Sequence, residues 1–236
     1  MRPLLLLLLL LVLPACVGSA PAPRPAEAPR CDACGESAAG GKRWPDGRPA
    51  CAPCVASAVL HPSQAARART TARQALQELF RVEVGEVPVT MLDRPELMGL
   101  AGRDRHPDLR AFTEIEDVTH DQVVVPELRQ FRIFLLRGLP EVEAVGVLAH
   151  ELFHVWQVRQ GGAIGATDAF REGAAQWVQL RVYRRLGAEA WAKRLRGDTD
   201  AVYGEGLRRF EGLVLSRGEA EALRLAGTAL DFPAGF

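Results

Sequence analysis

His150 and His154 stand four residues apart with Glu151 beside the first of them, and this spacing is the feature of the 236-residue chain with the clearest chemistry. On a helix, positions four apart share a face, so two imidazoles can ligate one metal ion. Glu151 can reach a water that such an ion activates. Zinc lowers the pKa of a bound water to about 7, and a neighbouring carboxylate then takes its proton as the water attacks a carbonyl. Val142, Val145, Leu148, Ala149, Leu152, Phe153 and Trp156 surround the pair with apolar packing, as a buried helix requires. The competing account is a pair of histidines on an ordinary helix, and a third ligand argues against it.

Glu172, in Phe170-Arg171-Glu172-Gly173-Ala174-Ala175-Gln176-Trp177, is the candidate third ligand. It follows a loop and lies near the start of the next long helix. Packing that helix across the first would complete a His2Glu set with one position open for water. Gly173, Ala174 and Ala175 permit a close approach, and Gln176, one turn on, is a candidate hydrogen-bond partner for a ligand. Asp168 reads as the helix N-cap. Tyr203, between two helical stretches, has a phenol suited to an oxyanion, although tyrosine is as often a core residue. Residues 131–136 could pair with an extended peptide if they form an edge strand, and Arg132 and Arg137 would then flank the cleft. His61, His106 and His120 stand beside prolines or in loops and read as solvated.

All five cysteines lie in the first 54 residues. Cys31-x2-Cys34 and Cys51-x2-Cys54 have the spacing of a four-thiolate structural zinc site. The stretch between them has little with which to build a core, so a metal would have to hold it together. Two disulfides are the alternative in an exported protein. Export follows from the start of the chain. Met1-Arg2 precedes an apolar run at 4–13, too short for a membrane span, and Leu13-Pro14-Ala15-Cys16 resembles a lipobox that would make Cys16 a lipidated N-terminus. Cleavage of an ordinary signal near Ala20 is the other reading. The expected organisation is a signal with lipobox at 1–16, a Pro/Ala-rich tether at 17–30, a four-cysteine module at 31–60 and a metal-binding domain at 61–236. Basic and acidic residues balance at 29 each, which leaves no electrostatic footprint for nucleic acid.

Hydrophobic spacing predicts a helix over 63–80 capped by Ser63, strands at 82–92, 111–118 and 130–136, and a loop over 93–109. Helices follow at 141–157 and 168–186, the second closed by Gly187, and the remainder is mostly helical with breaks near Gly197 and Gly204. Strands before helices indicate an α+β fold. The H-E-x-x-H…E set implies a zincin-like domain, a small sheet followed by active-site helices.

These residues resemble the DA1 family of peptidases, first known from plants. The likeness lies in Gly138-Leu139-Pro140, in the run from Leu148 to Trp156, in Glu172-Gly173 with Gln176, and in Tyr203-Gly204-x-Gly206-Leu207-Arg208. The two C-x2-C pairs are similar to part of that family's LIM module, which is larger and includes histidine ligands. The resemblance implies catalytic zinc on His150, His154 and Glu172, Glu151 as base, and site roles for Tyr203 and Arg208. The expectation is a lipid-anchored zinc peptidase with one catalytic and one structural zinc, acting on a protein or peptide. A non-catalytic zinc scaffold that recruits a partner is the alternative, but such a scaffold has no use for Glu151. A thiol–disulfide protein built on the C-x2-C pairs would instead need reactive, low-pKa cysteines.

Overall fold

The computed structural model describes residues 29–102, 108–120, 123–162 and 164–236. Cys16, the expected signal and nearly all of the expected tether, and His106 lie outside the described residues. Two short strands, β1 (Lys42–Arg43) and β2 (Pro49–Ala50), pair antiparallel between the C-x2-C turns, and α1 (Ala52–Ala56) carries Cys54. The helix α2 (Pro62–Phe80) buries Ala65, Ala68, Ala72, Ala75, Leu76 and Phe80 at three- and four-residue intervals. Its N-cap position is His61 rather than Ser63. Pro62 fits the first helical position, where its missing N–H costs nothing, and Gln64 Oε1 accepts the N–H groups of Leu60 and His61 at 2.8 and 2.9 Å.

The expected strand at 82–92 shrinks to β3 (Val89–Leu92). Val82, Val84 and Val87 are buried, yet side chains satisfy the carbonyls that a ladder would use. Arg73 donates to the Val84 carbonyl and Arg69 to that of Val87, at 3.0 and 2.8 Å. The expected loop that follows contains α3 (Arg94–Ala101), started by Asp93 and Pro95. Glu96 reaches back to the Asp93 N–H at 3.1 Å, a capping arrangement visible in the residues Asp93-x-x-Glu96.

Next come β4 (Ala111–Glu116), a small antiparallel pair β5 (Thr119–His120) and β6 (Val123–Val124), and β7 (Gln130–Leu136). The main sheet has the order β3-β7-β4, with β7 parallel to β3 and antiparallel to β4. β7 is therefore the central strand, not an edge, and its Ile133, Leu135 and Leu136 are fully buried. β4 is an outer strand. Arg132 faces Glu114 across the sheet, and Arg137 bonds Asp93 and the Leu60 carbonyl, so neither flanks the cleft.

The helical half is α4 (Glu141–Gln160), α5 (Asp168–Arg185), α6 (Glu189–Arg196), α7 (Tyr203–Arg217) and α8 (Glu219–Thr228). Every residue of α4 from Glu143 to Phe153 is buried, because α2, α5, α8 and the sheet pack around it. Leu148, Leu152 and Phe153 each contribute about 1.5–3 kcal/mol by leaving water. α5 begins after Thr167, which takes the cap position expected of Asp168; Asp168 is the first helical residue and pairs with Arg171. Gly187, at φ +68°, adopts the left-handed conformation that ends this helix. Among the described residues no helix is long and apolar enough to cross a membrane.

Candidate metal centre

α4 places His150 and His154 on one face, and α5 crosses it with Glu172 aimed at the same point. His150 Nε2 lies 3.0 Å from His154 Nε2, and both lie close to Glu172 Oε2, at 3.1 and 3.2 Å. A tetrahedral zinc with bonds of about 2.0–2.1 Å needs donors about 3.3 Å apart, so the triangle is the size that such an ion requires. Two imidazoles and a carboxylate converging at this distance leave more lone pairs than protons to share, and a cation resolves the conflict. Burial works to lower the His154 pKa, but the Glu172 carboxylate outweighs it and holds His154 above its ordinary value. Burial likewise opposes ionisation of Glu172, yet His154 and the hydrogen bonds from both imidazoles keep it well below the usual carboxylate range.

Residues around the triangle fix its geometry. Gln157 donates from Nε2 to the Ala226 carbonyl at 3.2 Å, so its Oε1 must be the atom that faces His154 Nδ1 at 2.8 Å. The proton of His154 is thereby drawn to Nδ1, and the lone pair on Nε2 points to the site. Replacing Gln157 with Ala is expected to weaken metal binding about 10–100-fold, measured by competition with a chromogenic chelator. Thr113, on β4, donates to Glu151 Oε2 at 2.8 Å and so ties the outer strand to that carboxylate. Arg171 reaches the other oxygen of Glu172, at 3.3 Å.

These groups open on a cavity of about 760 Å³ between β4, α4, α5 and α6, and Gln176, Tyr203, Trp191, Asp198 and Ile164 also line it. Tyr203 stands at the first turn of α7, which runs close to α5 because both are glycine at the crossing. A Cβ on Gly173 would lie 2.3 Å from the Gly206 carbonyl oxygen. Gly173 thus faces α7 and not α4, contrary to the sequence expectation. On the α4 side the close approach is at Gly146, which lies under the Tyr183 ring. Gln176 is buried in the cavity wall, with no hydrogen-bond partner for its Oε1 among the described residues. Arg208 is exposed and bonds Glu205 and the Asp198 carbonyl; it does not line the cavity. His61 is exposed as expected.

The four cysteines form a second cluster. Cys31, Cys34, Cys51 and Cys54 are free thiols whose sulfurs all lie within 4.8 Å of one another, with Cys34 and Cys51 3.6 Å apart. A tetrahedral zinc with sulfur bonds of about 2.3 Å needs sulfurs about 3.8 Å apart. The arrangement has the composition and size to hold a metal ion, and no pair is joined as a disulfide. Burial pushes the Cys34 thiol up to about 11 and that of Cys54 further. Burial opposes ionisation of Cys31 as well, but the N–H groups of Cys34, Cys51 and Ala33 point at its sulfur and hold it at about 7. That is the hydrogen bonding a metal-bound thiolate receives.

No protein-family model matches the chain, and no solved structure matches it. Among curated proteins, the protein DA1-related 1 of Arabidopsis thaliana aligns at 22% identity over 247 positions, covering 78% of this chain and 44% of the plant protein. The chain is a distant homologue of that DA1-related protein. It spans less than half the length of this relative, so the relative's activity does not transfer with the alignment.

Sequence reasoning missed Gln157, Thr113 and Arg171. Gln157, three residues after His154 on the same helix, was open to discovery as a polar residue on a buried face. Thr113 gave no signal, because its approach to Glu151 depends on how the sheet lies over α4.

Proposed function

We propose that the chain is a zinc-dependent peptidase of zincin-like architecture, with zinc held by His150, His154 and Glu172 and a structural zinc held by the four cysteines. The observation that carries the reading is the convergence of three donor atoms at 3.0–3.2 Å beside Glu151, at the floor of an open cavity. When bound, zinc supplies Lewis-acid activation of water and of the scissile carbonyl. Glu151 accepts the proton that the attacking water loses and returns it to the departing amine. Thr113 holds one Glu151 oxygen, which aims the carboxylate along the cleft. Tyr203 offers its phenol to the oxygen that becomes negative during attack.

The outer strand, not the central one, is the surface on which an extended peptide would lie. One edge of β4 is paired with β7, and Ala111, Phe112, Thr113 and Ile115 line the cavity. A substrate added as a further strand there would pass beside Glu151.

Elemental analysis tests the metal assignment. Wild type is expected to hold two zinc per chain, His150→Ala one, and a variant with all four cysteines changed to serine one. Unchanged metal content in His150→Ala would remove the catalytic site from the molecule.

A further inference from the structure

The four-cysteine cluster sits against the wall of the cleft instead of hanging from it. Its backbone pairs with the segment that leads into α4: Val59 N–H donates to the Leu139 carbonyl at 2.8 Å, Gly138 N–H to that of Val59 at 2.9 Å, and Glu141 N–H to that of Ser57 at 2.8 Å. Trp44 packs on Gly138, where any Cβ would approach the indole to 3.3 Å. Ala33, inside the first C-x2-C turn, lines the same cavity as the histidines.

Asp32 adds charged contacts to this junction. It lies between Cys31 and the cavity-lining Ala33, and guanidinium groups gather on it. Arg110 Nη1 is 2.5 Å from Asp32 Oδ2, and Arg110 Nη2 donates to the Asp32 carbonyl at 3.0 Å. Arg194 of α6 donates to that same carbonyl at 2.8 Å and also to the carbonyl of Ala33. Arg48 and Arg94 approach Oδ2 at 3.9 and 4.0 Å. Arg110 immediately precedes β4, three residues before the threonine that holds Glu151. Its Nε also lies 3.3 Å from Glu143 Oε1 on α4, two turns ahead of His150. Glu143 is buried, and its other oxygen has no hydrogen-bond partner among the described residues, so Arg110, the guanidinium in contact with it, offsets part of the cost of its burial.

We propose that Asp32 is a positioning residue for the cleft: it fastens Arg110, and with it β4 and Glu143 of α4, to the four-cysteine cluster. The cluster then does more than stabilise its own loop. Whatever holds the Cys31–Cys34 turn in shape also sets how β4 lies over Glu151. Asp32 touches no reacting atom and acts through Arg110. The consequence for turnover rests on the peptidase reading, whereas the anchoring itself does not.

Hydrogen exchange, zinc content and steady-state kinetics on the zinc-loaded full chain test this with Asp32→Asn, Arg110→Gln and the double variant. Asp32→Asn is expected to keep its zinc while the β4 amides bonded to β7 exchange about tenfold faster or more, with those of α2 and α8 unchanged. KM for a peptide should rise about tenfold with a smaller change in kcat. Arg110→Gln also strands Glu143, so it should be the more damaging single variant. The double variant should be no worse than Arg110→Gln alone, because the Asp32 contact is already broken there. Unchanged β4 exchange in Asp32→Asn overturns the proposal, as does equal acceleration across the chain or loss of zinc from the cysteines. Strictly additive effects overturn it too. A wild-type chain that cleaves no peptide would instead defeat the peptidase reading, and the exchange data would still decide the anchoring.

Discussion

Glu151→Gln is expected to retain both metals and to lose peptide cleavage by roughly 10²–10⁴ in kcat, the usual contribution of a positioned acid–base group. The metal is retained because the donor triangle is His150, His154 and Glu172, and Glu151 is not a corner of it. The substitution keeps size and shape, and the amide oxygen can still accept from Thr113, which now donates to Glu151 Oε2 at 2.8 Å. What disappears is the carboxylate that would take the proton of the attacking water. KM should change little, since an isostere leaves the cavity wall intact. The check is cleavage of an unstructured protein substrate alongside zinc analysis of the same preparation. A variant that cleaves as wild type would show that the base lies elsewhere; one that loses zinc would show that the ligand set is wrong.

Gly173→Ala is expected to destabilise the fold by roughly 2 kcal/mol, although alanine is the better helix former by about 1 kcal/mol. The added Cβ would lie 2.3 Å from the Gly206 carbonyl oxygen and 2.4 Å from its carbon, and both are backbone, with no rotamer to turn aside. Relief requires α7 to move off α5. That displacement would shift Tyr203, one turn before Gly206, relative to Glu172, one residue before Gly173. Stability and activity should therefore fall together. For a chain of this size the loss amounts to about 4–8 °C in thermal midpoint. Gly212→Ala is the control: it is a mid-helix glycine of α7 whose Cβ would meet only the Phe236 ring, at 4.0 Å, so it should be neutral or stabilising. A Gly173→Ala chain that melts no lower than wild type would mean that the two helices do not cross this closely.

Much of the site was legible because its parts are local. His150 and His154 share a face wherever their segment is helical, and the apolar residues around them make it helical and buried. The start of α5, the extent of β7 and the two C-x2-C pairs were legible for the same reason. Where local signals were misread, competing ones were present. α3 hides among glycines and prolines, although Asp93 and Glu96 announce its start. The valines at 82, 84 and 87 alternate like a strand, but Arg69 and Arg73 take the carbonyls that pairing would need.

The spacing of His150, Glu151 and His154 by itself determined that two histidines able to hold a metal ion share one face beside a carboxylate, since one helical turn is all it requires. It could not decide which strand borders that face. β7 precedes the metal helix in the chain, yet β4 lies on its far side from β3, and strand order is set by pairing between residues distant in sequence. Nor could it reveal that Thr113 holds Glu151, that Gln157 sets the His154 proton, or that Asp32 meets Arg110 across 78 positions. Those contacts arise only when the sheet, the helices and the cysteine turns close on one another, and tertiary packing alone brings them within hydrogen-bond distance.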